Sequence, residues 1–142
     1  MTRISDPHDA QLDTGETARP NGKRIVLAED DPFISRMYDT KLSGAGYAIH
    51  LASNGREAYE LVKTVAPDLV MMDINMPELT GFEVITALKN DGFDLKKIIV
   101  LTNSPDNADR DKAKEFGVDF MVKADMTPRE VLEKINSFFA KS

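Results

Sequence analysis

The sequence predicts an α/β fold in which a parallel β-sheet lies between two layers of helices. Short apolar runs alternate five times along the chain with segments whose apolar residues repeat at helical spacing. Nearly continuous apolar runs of this length are typical of strands that are buried on both faces. Alternation of strands and helices predicts parallel pairing through right-handed crossovers, with the carboxyl ends of the strands at one edge of the sheet.

The composition fits one globular domain. A chain of 142 residues, with 42% hydrophobic and 30% charged residues, is long enough to bury a single core. A net charge of −6 argues against direct binding to nucleic acid, and the absence of cysteine excludes disulfides and thiolate metal sites. No apolar run reaches the roughly 18 residues of a membrane span, and no secretory signal is evident. We therefore expect a cytoplasmic protein without membrane insertion.

The two ends of the chain differ in character. Residues 1–22 are polar and contain several Pro and Gly residues, which predicts a mobile N-terminal tail. Residues 23–142 carry all of the predicted strands and helices and form the predicted domain. No output domain follows Ser142, so we expect a stand-alone module.

The predicted strands and helix starts follow in order. The strands are assigned to residues 23–28, 47–52, 69–72, 97–102 and 119–122. Helix N-termini are predicted from capping residues, some with Glu three positions on or Pro next in the chain, at Asp31, Asn54, Thr80, Ser104-Pro105 and Thr127. The apolar residues at helical spacing in the first helix are Phe33, Ile34, Met37, Tyr38 and Leu42.

Polar groups end four of the five strands. Glu29 and Asp30 follow the first strand, Asp73 the third and Lys123 the fifth, and Thr102 ends the fourth. Carboxylates gathered at one edge repel one another, and a hard divalent cation such as Mg²⁺ relieves that repulsion. A lysine and a hydroxyl beside them suit a multiply charged oxyanion such as a phosphoryl group. Asp73, at the end of a central strand, is then the candidate nucleophile that forms an aspartyl phosphate.

These residues lie in segments that resemble the receiver domains of two-component response regulators. The matching segments are residues 26–32, 72–77, 81–83, 101–102 and 120–123, and the resemblance extends over residues 23–141. It implies a flavodoxin-like (βα)5 doubly wound sheet with strand order 2-1-3-4-5. It also implies a signalling phosphoacceptor that assists its own phosphorylation and dephosphorylation, and not an enzyme.

The resemblance implies a role for each acidic residue. Asp73 is the phosphoacceptor, and Asp30, Asp73 and the backbone carbonyl of Asn75 bind Mg²⁺ or Mn²⁺ directly. Glu29 contributes to the same metal site through a water molecule. The phosphoryl donor is a sensor histidine kinase or a histidine phosphotransfer protein, and the downstream protein target is not identified by the sequence.

The resemblance also implies a switch. Thr102 and Lys123 bind the phosphoryl group, Thr102 moves toward it, and Phe120 turns inward into the vacated space. Because phenylalanine has no hydroxyl to hold it outward, we expect the inward position to be somewhat favoured even before phosphorylation.

Two positions depart from the family pattern. Ala124 stands where the family usually has a proline, often after a cis peptide bond. A cis Lys-Ala bond costs roughly 3–4 kcal/mol, which favours a trans bond here. Asn103 stands where the family usually has a small residue, and it either crowds the phosphoryl group or forms a hydrogen bond with it.

Two other functions are compatible with parts of this pattern. A phosphatase of the haloacid dehalogenase type also has a nucleophilic Asp after a strand, but it needs a second Asp where this chain has Asn75. A pseudo-receiver that binds partners without phosphorylation is favoured by Ala124 and Asn103, whereas the complete set of acids, Thr102 and Lys123 argues against it.

Overall fold

The fold is a single five-stranded parallel sheet in the order β2-β1-β3-β4-β5. This sheet confirms the predicted fold class and strand order. The computed structural model describes residues 21–103 and 107–141. All but the last two residues of the predicted tail lie outside the described residues, and so do Ser104 and Pro105, where the fourth helix was predicted to begin.

The observed elements match the predicted alternation closely. The strands are β1 (Arg24–Ala28), β2 (Ala48–Ala52), β3 (Leu69–Asp73), β4 (Ile98–Thr102) and β5 (Asp119–Val122). The helices are α1 (Pro32–Gly44), α2 (Gly55–Val65), α3 (Gly81–Asn90), α4 (Asn107–Phe116) and α5 (Pro128–Ala140). Short 3-10 turns occur at Leu95–Lys97 and Lys123–Asp125.

The core has two layers because successive strand residues point to opposite faces of the sheet. Val26, Val70 and Val100 belong to the face that packs against α2, α3 and α4. Leu27 and Met71, each one residue further along its strand, belong to the face that packs against α1 and α5. The sheet is thus covered on both sides, as the continuous apolar runs predict.

Three of the predicted helix caps form as expected. The Asp31 carboxylate accepts hydrogen bonds from the backbone of Phe33 and Ile34 at the start of α1. Reciprocal side chain-to-backbone hydrogen bonds join Thr80 with Glu83 and Thr127 with Glu130. These caps were predictable because they depend only on residues two or three apart in the chain.

The cap of α2 differs from a reciprocal pair. Asn54 accepts a hydrogen bond from the backbone of Glu57, as predicted. The Glu57 carboxylate, however, accepts from the backbone N–H and the hydroxyl of Ser53 rather than from Asn54. These hydrogen bonds lower the pKa of Glu57.

The buried face of α1 includes only some of the apolar residues that repeat at helical spacing. Phe33 is 77% exposed and Met37 is 36% exposed, while Ser35, Tyr38 and Leu42 are buried. At about 100° per residue, Phe33 lies nearly opposite Ser35 on the helix. Phe33 and Met37 thus share the helical spacing of the apolar residues but lie outside the buried face, because hydrophobicity alone does not fix how a helix is rotated on its sheet.

Within residues 21–103 and 107–141, no helix combines the length and apolar composition needed to cross a bilayer.

Candidate functional site

Two of the predicted carboxylates lie level with each other at the carboxyl edge of the sheet. Ala28 pairs with Met72 in the parallel register of β1 and β3, and Glu29 and Asp73 are the next residues of these two chain segments. Both are almost completely buried, at 2% and 3% exposure. Because a buried charge is costly without partners, this position requires a counter-charge or a metal ion.

Lys123 supplies a counter-charge from the end of β5. Its ammonium donates hydrogen bonds to Glu29 Oε1 at 2.8 Å and to Asp73 Oδ2 at 3.2 Å, and its side chain is only 7% exposed. The ammonium of Lys123 therefore bridges the two carboxylates. This attraction opposes the mutual repulsion of the carboxylates that the sequence predicts.

Burial and pairing have opposite effects on these pKa values. Burial raises the pKa of Glu29, although its hydrogen bond with Lys123 acts in the other direction. Burial also disfavours the charged form of Lys123. The hydrogen bond to Glu29 and the charges of Asp73 and Glu29 outweigh this effect and raise the pKa of Lys123. We conclude that Lys123 is held in its cationic form between the two acids.

The three carboxylates differ in how many of their oxygens are already bound. Both oxygens of Glu29 accept a hydrogen bond, Oε1 from Lys123 and Oε2 from the backbone N–H of Asp31 at 3.2 Å. Asp73 Oδ2 accepts from Lys123, whereas Asp73 Oδ1 is buried without a hydrogen-bond partner. The side chain of Asp30 lies at the exposed side of the cluster, and one oxygen from each of the three residues lies within 4.8 Å of the others.

This arrangement fits a divalent cation. Three carboxylates and one ammonium leave two formal negative charges, and a buried carboxylate oxygen without a donor is a ready ligand. Hard cations such as Mg²⁺ prefer oxygen ligands of this kind. The cluster of Glu29, Asp30 and Asp73 could therefore hold a metal ion.

The predicted phosphoryl-binding residues follow neighbouring strands. Thr102 ends β4 at 2% exposure and pairs with Val122, the residue before Lys123. The Lys123–Ala124 peptide bond is trans, as its predicted cost favours, and the chain continues in a 3-10 turn. Thr102, the last residue of β4, and Lys123, the residue after β5, thus lie at the ends of the two strands on one side of Asp73.

Three further residues that the sequence indicates beside the site, as possible modulators of its chemistry, are exposed. Asn75, Asn103 and Ala124 all lie in segments that follow strands at the same edge of the sheet. The loop that contains Asn75 is fixed at its start, where Ile74 donates to the carbonyl of Leu101 at 3.1 Å and accepts from the backbone of Gly81 at 2.7 Å.

Phe120 lies on β5 opposite Val100 and is partly buried. Its ring packs against the core layer formed with α2, α3 and α4. The guanidinium carbon of Arg110, on α4, lies 5.0 Å from the centroid of the ring. The ring is thus partly buried beside a cation, and the expectation that it favours the enclosed position stays a prediction.

Two residues of the site were given no role in the sequence analysis. Tyr38 is buried, which raises the pKa of its hydroxyl, and the charges of Lys123, Glu29 and Asp73 act on it. Side chains on a helix tilt toward its N-terminus, so a tyrosine two turns into α1 could have been expected to extend back toward Glu29. Gly81 packs against the end of β3, since a Cβ atom there would be 2.6 Å from the carbonyl oxygen of Asp73.

Comparison with solved structures places this fold among receiver domains. The chemotaxis response regulator CheY4 of Vibrio cholerae superposes with a TM-score of 0.74 at 26% identity, over 87% of this chain and 99% of that one. The receiver domain of the Francisella response regulator 1452 superposes with a TM-score of 0.76, over 84% of this chain and 98% of that one. Its 22% identity supports similarity of fold only.

Sequence comparison gives the family. The probable transcriptional regulator ycf27 of Cyanophora paradoxa is 34% identical over 122 residues, which are 86% of this chain and 50% of that protein. The chain thus spans about half the length of the curated relatives it matches. The profile of the response regulator receiver domain matches residues 25–136. The chain therefore belongs to the response regulator receiver domain family of two-component systems.

Proposed function

We propose that Asp73 accepts a phosphoryl group from a phosphohistidine and that this modification changes the binding of a partner protein. The observation that carries the proposal is the state of the Asp73 carboxylate. It is buried, one of its oxygens has no hydrogen-bond partner, and Lys123 is held 3.2 Å from the other. A carboxylate in this setting is both a nucleophile and part of a site for a doubly charged group.

The transfer exchanges one bond to phosphorus for another. A carboxylate oxygen of Asp73 attacks the phosphorus atom, the new O–P bond forms, and the P–N bond to the donor histidine breaks. The electron pair of that bond stays on the imidazole nitrogen, and the donor leaves as neutral imidazole when its other ring nitrogen carries a proton. Lys123 and Thr102 then stabilise the charge on the phosphoryl oxygens.

The metal site of this proposal uses the oxygens that are still open. Asp30, Asp73 and the backbone carbonyl of Asn75 would hold Mg²⁺, or Mn²⁺, directly. Glu29 would act through a water molecule, because both of its oxygens already accept hydrogen bonds from Lys123 and Asp31. The bound cation would neutralise charge on the phosphoryl group during transfer.

The proposed switch links the phosphoryl group on Asp73 to Phe120 of β5, which lies on the other side of β4 from Asp73. Thr102 moves toward the new oxyanion and leaves space, and Phe120 turns into that space. This changes the surface formed by α4, β5 and α5. Asn75, Asn103 and Ala124, exposed beside the site, adjust how fast the phosphoryl group arrives and leaves.

The partners follow from the chemistry and from the relatives. A sensor histidine kinase or a histidine phosphotransfer protein supplies the phosphoryl group, and a protein target reads the altered surface. Its relatives include a probable transcriptional regulator and a chemotaxis response regulator, so the class of target differs among them. With a net charge of −6 we propose no direct contact with nucleic acid, and we propose a cytoplasmic location.

The test is phosphoryl uptake measured by intact mass after incubation with a small phosphodonor and Mg²⁺. Wild type should gain one phosphoryl group, and Asp73→Asn should gain none because an amide is a poor nucleophile. Asp68→Asn is the matched control, since Asp68 precedes the same strand but binds the backbone of Arg24. It should behave as wild type.

Other results would select another function. Full uptake by Asp73→Asn would place the acceptor at a different residue. No uptake by wild type would favour a module that binds partners without phosphorylation. Steady release of phosphate from many donor molecules would favour a phosphatase.

A further inference from the structure

Helix α4 contacts its neighbours through cations that lie over aromatic rings. Arg110 lies over Phe120 of β5, and the ammonium of Lys112 lies 5.0 Å from the ring centroid of Phe82 in α3. Among the described side chains of α4, Ala113 is buried and Phe116 is partly buried. Phe116 also stacks on Phe82, with ring centroids 5.9 Å apart, and the two cation–π contacts add to this apolar attachment of the helix.

The contact with Arg110 gives Phe120 an attraction at the surface that a phenyl ring cannot supply through a hydrogen bond. A phenylalanine has no hydroxyl to hold it at the surface, and water disfavours exposure of its ring. The ring is nevertheless partly exposed here, with the guanidinium 5.0 Å from its centroid. The guanidinium attracts the electron-rich face of the ring and so opposes its movement into the core.

We propose that Arg110 is a latch that holds Phe120 in its partly exposed position until Asp73 is phosphorylated. The latch rests on the proposed function for its release, because movement of Thr102 toward the phosphoryl group is what opens space for the ring. Phe120 pairs with Val100, two residues before Thr102 on β4, so the ring is close to the segment that moves. Arg110 thus sets how far the switch depends on phosphorylation.

The size of the effect follows from the strength of one exposed cation–π contact. Such a contact changes an equilibrium by about two- to fivefold. Without it, the population with Phe120 enclosed should rise by about that factor in the unphosphorylated protein. A shift of this size leaves room for phosphorylation to complete the change.

The experiment observes the ring directly, by NMR of the intact chain with isotope-labelled phenylalanine. Spectra are recorded without phosphodonor for wild type, Arg110→Gln, Arg110→Lys and the matched control Lys112→Gln. The reference for the switched state is wild type with beryllofluoride and Mg²⁺. Arg110→Gln should move the Phe120 resonances part of the way to that reference, and Arg110→Lys should move them less because it keeps a cation. Lys112→Gln should instead move the Phe82 resonances.

Two results would overturn the latch. The first is a Phe120 signal that stays at the wild-type position in Arg110→Gln. The second is an equal movement in Lys112→Gln, which would mean that the whole helix shifts and that no single residue restrains the ring. Phosphoryl uptake by intact mass is measured on the same samples. Failure of uptake in wild type would contradict the proposed function, while the restraint on Phe120 is judged from the unphosphorylated spectra alone.

Discussion

Glu29 and Asp30 are adjacent in the chain but differ in the state of their carboxylates. Both oxygens of Glu29 already accept hydrogen bonds, from Lys123 and from the backbone of Asp31, and the residue is 2% exposed. Asp30 is exposed at the same cluster. This difference divides their roles at a metal site, because a direct ligand needs an oxygen that is open to the ion.

We therefore expect Asp30→Ala to weaken Mg²⁺ binding more than Glu29→Ala does. Loss of a residue that acts through another group costs about tenfold or more in metal affinity, and loss of a direct ligand should cost more than that. Titration of the two variants with Mg²⁺, monitored by NMR or calorimetry, gives the comparison. Equal affinities would contradict the division of roles.

Ionisation of the Tyr38 hydroxyl makes the stability of the fold depend on pH. Burial raises its pKa above the usual 10.0, so the folded state keeps a proton that the unfolded state loses. Stability is then lost as the pH rises from about 10 through the raised pKa, and each such group contributes at most about 1.4 kcal/mol per pH unit. Lys123, whose pKa is also raised, adds a loss in the same direction from its usual 10.5 upward.

Tyr38→Phe should make the alkaline loss of stability shallower. The substitution removes one titrating group and keeps the buried ring. The free energy of unfolding, measured by urea denaturation at several values between about pH 9 and 11, gives the slope. A slope unchanged from wild type would show that the Tyr38 hydroxyl ionises equally in the folded and unfolded states.

At the scale of elements, the junction of β3 and α3 positions Asp73 through a close backbone approach. A Cβ atom on Gly81 would lie 2.6 Å from the carbonyl oxygen of Asp73 and 3.0 Å from the Cα atom of Ile74. Backbone atoms cannot rotate away as a flexible side chain can. The first residue of α3 must therefore be glycine if the strand end is to keep its place.

Gly81→Ala should destabilise the protein by about 1–3 kcal/mol, as overpacking does, and should slow phosphoryl uptake because Asp73 is displaced. Gly44→Ala is the matched control, since a Cβ atom there meets nothing within 4 Å and alanine favours helices. Urea denaturation and intact-mass kinetics give both quantities. If Gly81→Ala takes up phosphoryl at the wild-type rate, the close approach is not needed to place the acceptor.

The elements also show which features could be predicted from the sequence. The caps at Asp31, Thr80 and Thr127 depend on local spacing, and all three form. The exposure of Phe33 could not be predicted, because the rotation of α1 is set by packing against the rest of the fold. The contact between Arg110 and Phe120 joins two elements and has no signature in either segment.

At the scale of the whole molecule, the parallel topology explains why the site could be predicted at all. Once strands are known to run parallel, residues that follow them must gather at one edge, and Glu29, Asp73 and Lys123 do so within hydrogen-bond distance. The bridging geometry of Lys123 could not be read from the sequence. It depends on the lengths of the three side chains, which start at the ends of β1, β3 and β5. β1 and β3 are neighbours, whereas β5 is the edge strand beyond β4.

In the proposed switch, β4 and β5 would be the route from Asp73 to the surface formed by α4, β5 and α5. Thr102 pairs with Val122 and Val100 pairs with Phe120, so a movement at the end of β4 reaches β5 through adjacent register positions. Phe120 packs against the core on one side and lies beside Arg110 of α4. A change in its ring position would therefore alter β5 and α4 together, which is what a two-state packing change needs to act at a distance.

We expect Phe120→Ala to separate phosphorylation from its effect on the surface. The substitution leaves Asp73, Lys123 and the acidic cluster in place, so phosphoryl uptake should stay within about twofold of wild type, a difference well below 1 kcal/mol. The change in hydrogen exchange that beryllofluoride and Mg²⁺ produce in α4 and β5 should be strongly reduced, because no ring fills the space that Thr102 leaves. Phe139→Ala is the control, since Phe139 stacks on Tyr47 in the other core layer. If Phe120→Ala keeps the full exchange response, the ring is core packing, and the signal reaches the surface through another element.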